Sequence, residues 1–313
     1  MPIYDLILIF AGLCGCLTLA SATSFLLRWR VHEAGTTRVI ENLNQRVQTW
    51  WVIVFILAGA MLGGPKAIVA LFFVLSFVAL REFLTVTAVG SQDRAGLLVS
   101  FLIFLPVQYM LVVLKRYEAF AVFIPICGFA TLPVFAAITG NVKGFLERTA
   151  ELLWGLMLCV YAISHLPALL LLDIPGYQNR QTLLIIFVIL IAQANDVLQY
   201  VWGKLLGSHK IAPVLSPSKT VEGFLGGAVC STALGASLWW LTPFTVLQSA
   251  AMALVIALAG FVGGLVLSAI KRDRGLKDWS QFVPGHGGLL DRLDSLCFSA
   301  PLFFHLTRVL FAA

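Results

Sequence analysis

Ten apolar stretches dominate this chain, at about 3–27, 50–62, 66–80, 97–114, 119–138, 149–171, 182–202, 223–241, 246–270 and 289–311. A helix needs roughly 20 apolar residues to cross the hydrocarbon core, where only helices and closed barrels satisfy every backbone N–H and C=O. The predicted fold is therefore all-α, a polytopic integral membrane protein with nine to ten transmembrane helices. The count turns on the second and third stretches, which are short and split by Gly63, Gly64 and Pro65. Soluble domains carry about a quarter charged residues, whereas this chain is 12% charged and 60% hydrophobic. Composition thus excludes a soluble enzyme, a nucleic-acid-binding domain and a disordered tail.

Basic residues sort the loops. Arg28, Arg30, Arg38, Arg46, Arg81, Arg94, Lys143, Arg148, Lys204, Lys210, Lys219, Lys271, Arg272, Arg274 and Lys277 fall in one set of alternate loops. Only Lys66, Lys115, Arg116, Arg180 and Arg308 fall in the other. Because Lys and Arg collect on the cytoplasmic side, the pattern predicts ten spans with both termini outside. Asp5, with no Lys or Arg before the first apolar run, has the wrong polarity for a cleavable signal peptide, so that run is expected to be the first span. The stretch 28–49 sets Val31, Ile40, Leu43 and Val47 against Arg38, Glu41 and Arg46, which suits a helix on the membrane surface or a solvated connector. Six cysteines in apolar surroundings are expected to act as small buried hydrophobes.

Chemistry concentrates late in the chain. Residues 1–180 carry no chemical signature and are expected to serve as scaffold, lipid access route or dimer interface; 181–313 form the expected catalytic region. Asp196 interrupts an apolar run, where a carboxylate costs about 2.5–3.5 kcal/mol, and it marks a polar cavity or an interhelical hydrogen-bond knot with Gln193, Asn195 and Gln199. Thr220 can cap a following helix whose free N–H groups attract anions, beside Ser216 and Lys219. The pieces 222–227 and 259–264 are each glycine-rich, as close helix packing requires; an internal repeat is the other option. From Ser268 to Asp294 the chain holds Lys271, Arg272 and Lys277, positioned to neutralise phosphate. Asp291 and Asp294, three apart, share a helix face and can share a hard cation. His286-Gly287-Gly288 adds an imidazole and backbone that can approach phosphate closely.

The run from Ser268 through Lys271-Arg272, Lys277-Asp278, Ser280, Pro284 and His286-Gly287-Gly288 to Asp291-Arg292 and Asp294 resembles the signature of the CDP-diacylglycerol synthase (phosphatidate cytidylyltransferase) family. Asn195-Asp196, Tyr200, Gly203, Gly207, Ser216-Pro217, Lys219-Thr220, Glu222-Gly223 and Gly226-Gly227 are similar to it in the same order. The chain departs from the usual pattern at Gln199, Lys204, Ser218 and Gly264, where many bacterial members carry Ala, Arg, Lys and Asp. What the resemblance implies is attack of a phosphatidate oxygen on the α-phosphorus of CTP, releasing pyrophosphate. It implies Lys271, Arg272, Lys277, His286 and Asp291 as catalytic residues. Asn195, Tyr200, Ser216, Lys219, Thr220, Glu222, Ser268, Gly287, Gly288 and Arg292 would contact substrate. Asp196, Asp278, Asp291 and Asp294 would ligate Mg²⁺, with a second cation as a further option.

The expected partners are CTP, phosphatidate or a related lipid phosphate, membrane lipids and a second copy of the chain, two-fold dimers being the commonest assembly. No nucleic acid is expected. The expected location is a multi-pass membrane site opening to the cytoplasm, in the inner membrane if the source is bacterial. Two alternatives stand beside this reading: a related enzyme acting on another lipid phosphate, and an ion or phosphate transporter using Asp196.

Overall fold

The computed structural model describes residues 3–30, 34–87, 89–90, 93–138, 140–281 and 287–312, with the backbone alone at 27–30, 34–40, 42 and 43. In chain order the helices are α1 (Ile3–Arg30), α2 (Ala34–Leu62), α3 (Pro65–Thr85), α4 (Arg94–Val113), α5 (Tyr117–Ile138) and α6 (Phe145–Leu171). They continue as α7 (Gln181–Leu205), α8 (Val221–Ser237), α9 (Val246–Asp273), α10 (Leu290–Leu293) and α11 (Leu296–Phe311). Between α7 and α8 runs a small antiparallel hairpin, β1 (Lys210–Ala212) with β2 (Ser216–Thr220).

All ten apolar runs lie on helices, and the all-α membrane fold stands. Among the described residues eight helices are long and apolar enough to cross a bilayer. The two that fall short are α8, at 17 residues, and the last run, which is divided into α10 and α11 with Asp294 at the break. The expected surface segment 28–49 is different: from Ala34 onward it is helical and continuous with the second span. Hydropathy marks where lipid begins, whereas backbone hydrogen bonding carries a helix past that limit into polar sequence.

Local signals set the boundaries. Gly64, at φ 84°, turns the chain so that Pro65 can open α3. Thr245 and Gln248 form a reciprocal capping box at the start of α9. At its far end Gly275, at φ 67°, closes α9 with two bonds, Gly275 N–H to Arg272 O (3.0 Å) and Leu276 N–H to Lys271 O (2.8 Å). Turns of π-helix at Ser100–Phe104, Phe123–Gly128 and Leu156–Ala162 interrupt α4, α5 and α6.

α1 packs on α2, and both leave most of their apolar surface outward, as helices facing lipid should. The buried core is built by α3 to α7 and α11 around Leu80, Phe83, Leu105, Phe120, Phe187 and Phe303. In the later part glycine sets the spacing. A Cβ on Gly223 of α8 would stand 2.7 Å from the Gln199 carbonyl of α7, and one on Gly263 of α9 would stand 2.7 Å from the Asp294 carbonyl. The two glycine-rich pieces therefore serve close approach to two different neighbours.

Loops expected on one side of the membrane meet at one end of the bundle. Arg148 binds Asp93 (3.0 Å) and the Asn141 carbonyl (2.9 Å). Arg274 binds Glu147 (3.0 Å) and Glu151, and Arg272 reaches the Leu215 carbonyl of the hairpin turn (3.3 Å). Groups expected on the opposite side also meet, as Arg180 binds Asp5 (2.9 Å) and Tyr177 donates to the Leu241 carbonyl.

Candidate active site

A cleft of about 210 Å³ opens between the last turns of α7, the hairpin strand β2, the start of α8, α9 and the α10–α11 break. Its wall includes Asp196, Gln199, Tyr200, Lys219, Arg292 and Asp294. Each reaches the cleft for a local reason. Asp196 and Tyr200 are four apart and so share one face of α7. Thr220 ends β2 in extended backbone and accepts the Gly223 N–H (3.1 Å), so the strand turns straight into α8 and Lys219 is delivered to the wall. Asp294 stands in the two-residue turn between α10 and α11, whose backbone keeps helical dihedrals (φ −57°, ψ −43° at Asp294), and it lines the cleft from there.

Gly264 makes room for Lys219. A Cβ at residue 264 would stand 2.8 Å from the Lys219 Nζ and 3.8 Å from the Asp294 Oδ2. The ammonium lies over the Phe261 ring, 4.7 Å from its centroid, and donates to the Phe261 carbonyl (3.5 Å). Burial pulls its pKa below the usual lysine range, and the nearby Asp294 and Asp196 oppose that shift.

The loop after α9 is folded around two carboxylates. Asp291 accepts from Lys271 Nζ on Oδ1 (2.5 Å) and from the Trp279 and Gly288 N–H groups on Oδ2 (both 2.9 Å). Glu82 of α3 accepts from Ser280 Oγ (2.7 Å) and Leu289 N–H (3.0 Å) on Oε1, and from Leu290 N–H (2.8 Å) on Oε2. Beside it Phe83 packs on Trp279, with centroids 5.2 Å apart. Glu82 has no counterpart in the sequence expectations. A carboxylate two residues past the apolar run 66–80, followed by Phe83 and Leu84, was the signal available for it.

The expected site residues therefore separate into groups. Asp196, Tyr200, Lys219, Thr220, Arg292 and Asp294 come together around the cleft. Asp291 also lines it, with Oδ1 taken by the Lys271 ammonium in a buried ion pair and Oδ2 by the Trp279 and Gly288 N–H groups. A buried carboxylate requires such a partner, and the same contact occupies the Lys271 ammonium. Asn195 is fully buried, donating to the Ala257 carbonyl (3.2 Å) and accepting from Ser231 (3.3 Å), so it binds helices together rather than lining the cleft. Ser268 donates to the Gly264 carbonyl of its own helix (2.6 Å). Glu222 accepts from the Ser208 N–H (3.0 Å) and from His209 Nδ1 (2.6 Å), holding the turn ahead of the hairpin.

Ser216 pairs in the hairpin opposite Ala212. Lys277 and Asp278 are exposed on the loop, and Arg272 ties that loop to the hairpin turn. Gly287 and Gly288 fold tightly against Asp291 and Glu82. His286 lies outside the described residues. A larger cavity of about 320 Å³ lies on the other side of α9, with an apolar wall of Phe83, Trp154, Ala269 and Ile270. The base beside it, Arg274, is already bound by Glu147 and Glu151.

A cation can be judged against these donors. Mg²⁺ keeps several waters and is held by one or two carboxylates together with substrate phosphates. Asp196 and Asp294, facing one cleft, fit that requirement. Among the described residues no three His, Cys, Asp or Glu side chains converge to hold an ion by themselves.

Comparison with known proteins follows the same outline. A model of the cytidylyltransferase family matches residues 44–310. The chain is 39% identical over 304 residues to the Escherichia coli K12 protein named "Uncharacterized protein YnbB", covering 95% of this chain and 97% of that protein. It is 41% identical over 130 residues to the phosphatidate cytidylyltransferase of Staphylococcus aureus strain COL, covering 40% of this chain and 50% of that enzyme. The Staphylococcus haemolyticus enzyme of the same name is 38% identical over 120 residues, covering 38% of this chain and 46% of that enzyme.

Proposed function

This chain belongs to the cytidylyltransferase family and is a nucleotidyltransferase, and on that premise we propose that it transfers CMP from CTP to phosphatidate at the cleft around Asp196, Lys219, Arg292 and Asp294. The observation that carries this reading is the combination of two carboxylates and two bases around one cleft at the end of an apolar bundle. One substrate is a water-soluble nucleotide and the other a two-chain lipid confined to the bilayer, so their reaction needs a polar site within reach of both. The excess of Lys and Arg in the loops around the cleft would put its mouth on the cytoplasmic side.

A phosphate monoester is already an anionic nucleophile near neutral pH, so no general base of special strength is needed. One phosphatidate oxygen bonds to the α-phosphorus as the bridging oxygen to the β-phosphorus departs with pyrophosphate. Lys219 and Arg292 balance the charge that accumulates on the phosphates, which is the main electrostatic demand of such a transfer. Asp196 and Asp294 would hold Mg²⁺, which when bound neutralises phosphate charge and aligns the reacting oxygens. The Thr220 cap and the Gly264 gap keep Lys219 aimed at the cleft.

The test follows label from CTP, radiolabelled at its α-phosphorus, into lipid by purified protein with phosphatidate and Mg²⁺, beside Asp294→Asn. The expected result is labelled CDP-diacylglycerol from the wild type and a loss of about 10³-fold in the variant, the scale of removing one electrostatic stabiliser. Label entering a different lipid phosphate but not phosphatidate would transfer the reading to that acceptor. The staphylococcal similarity spans less than half of this chain, which makes that arm worth running. A folded wild type that labels no lipid would overturn the reading.

A further inference from the structure

We propose that Glu82, in the half of the chain without a signature, is a positioning residue of the nucleotidyl-transfer site, setting where the α10–α11 break and its Asp294 stand. The inference rests on the cytidylyl-transfer reading above. Glu82 is 7% exposed, and both its oxygens are used, with Ser280 Oγ and the Leu289 and Leu290 N–H groups donating to them.

Those donors alternate along the chain with the groups that bind Asp291. Asp291 takes the N–H groups of residues 279 and 288, and Glu82 takes donors from residues 280, 289 and 290. Two carboxylates, one on α3 and one on α10, therefore grip the same two strips of loop. The fit is tight. A Cβ on Gly288 would stand 2.8 Å from the Glu82 Oε2 and 3.0 Å from the Ser280 N. Three residues separate Leu290 from Asp294, so a shift of the gripped backbone is carried directly into the cleft wall.

The chemistry at Glu82 is specific to a carboxylate. Three donors face its two oxygens, and an amide offers only one oxygen, turning N–H groups toward N–H groups. Glu82→Gln is thus almost isosteric yet unable to hold all three donors. Glu82→Asp keeps both oxygens on a shorter arm.

The experiment compares wild type, Glu82→Gln and Glu82→Asp for kcat, KM for CTP and half-activating Mg²⁺, all per mole of folded protein after size-exclusion chromatography. Supporting residues around such sites typically affect metal affinity or activity by about 10–100-fold. The expectation is a kcat drop in that range for Glu82→Gln, with a higher half-activating Mg²⁺ and partial recovery in Glu82→Asp. Hydrogen exchange at Trp279, Leu289 and Leu290 reads the grip independently of turnover, with an expected acceleration of about tenfold, the equivalent of losing one hydrogen bond.

Unchanged kcat and Mg²⁺ requirement in Glu82→Gln would overturn the proposal. So would an activity loss that matches the loss of folded protein alone, because that is what a purely structural anchor gives. A wild type silent with every acceptor would remove the transfer reading and this proposal's bearing on it, while the exchange data would still decide whether Glu82 holds the loop.

Discussion

The amino-terminal helices and the carboxy-terminal bundle both place polar side chains among apolar helices, but they use them in opposite ways. In the first region many buried polar groups bond to one another or to backbone. Ser76 meets the Tyr109 hydroxyl (2.6 Å), which reaches the Phe72 carbonyl (2.7 Å). Gln108 donates to Ser164 and to the Phe120 carbonyl (both 3.3 Å). His165 contacts the Tyr161 carbonyl through Nδ1 (2.7 Å) and His305 through Nε2 (3.3 Å). In the second region Asp196, Tyr200, Lys219, Arg292 and Asp294 surround a cleft. A polar residue inside a membrane protein therefore signals function when it is left facing a cavity. One that is matched by a neighbour signals packing or, as at Glu82, a hold on the backbone beside the cleft.

The most severe break in this division is expected at Asp291, which belongs to both categories. Asp291→Asn leaves Lys271 buried without its countercharge, and breaking such a pair costs about 3–5 kcal/mol. Thermal unfolding in detergent should show that loss together with lost transfer. The double variant Lys271→Met with Asp291→Asn, which keeps an oxygen for the Trp279 and Gly288 N–H groups, should regain stability and not activity. If Asp291→Asn instead keeps full stability and loses only activity, Asp291 belongs with Asp196 and Asp294 as a group acting on the substrate.

Glycines sharpen the comparison at the next level. A Cβ on Gly235 would overlap the Ala253 side chain, whereas Gly12 and Gly15 of α1 have open space around that position. Overfilling a packed interface costs about 1–3 kcal/mol, the expected loss in Gly235→Ala. Gly15→Ala should be neutral or better, by up to about 1 kcal/mol from helix propensity. Equal melting temperatures for the two would show that the later bundle is not packed more closely.

The smallest effect is expected at Ser164→Ala, which removes one interhelical bond worth about 0.6 kcal/mol in membrane interiors. Its transfer rate should match wild type. A reduced rate at unchanged stability would mean that the polar groups of the first region serve more than packing.

How much of this was legible beforehand depends on the range of the signal. Apolar runs are local, so every helix was found near its place, and α2 was misjudged only where it continues into polar sequence. The candidate cleft was half legible. Asp196, Lys219, Arg292 and Asp294 stood out as charges in or beside apolar runs, and the fold brings all four to one cleft. Asp291 and Asp294 looked equivalent because their spacing puts them on one helix face. What distinguishes them in the fold is the Lys271 ammonium, twenty residues upstream, which pairs with Asp291.

The sequence by itself determined the membrane fold and the small set of charged residues set in or beside its apolar runs. Those follow from composition and from neighbours in the chain. Only the tertiary structure decided which carboxylates remain open to a cleft, and that Glu82, 198 residues before Ser280, grips the loop beside it. Hydropathy is a property each residue brings with it. Whether a buried charge is matched or left open depends on which distant group the fold places against it.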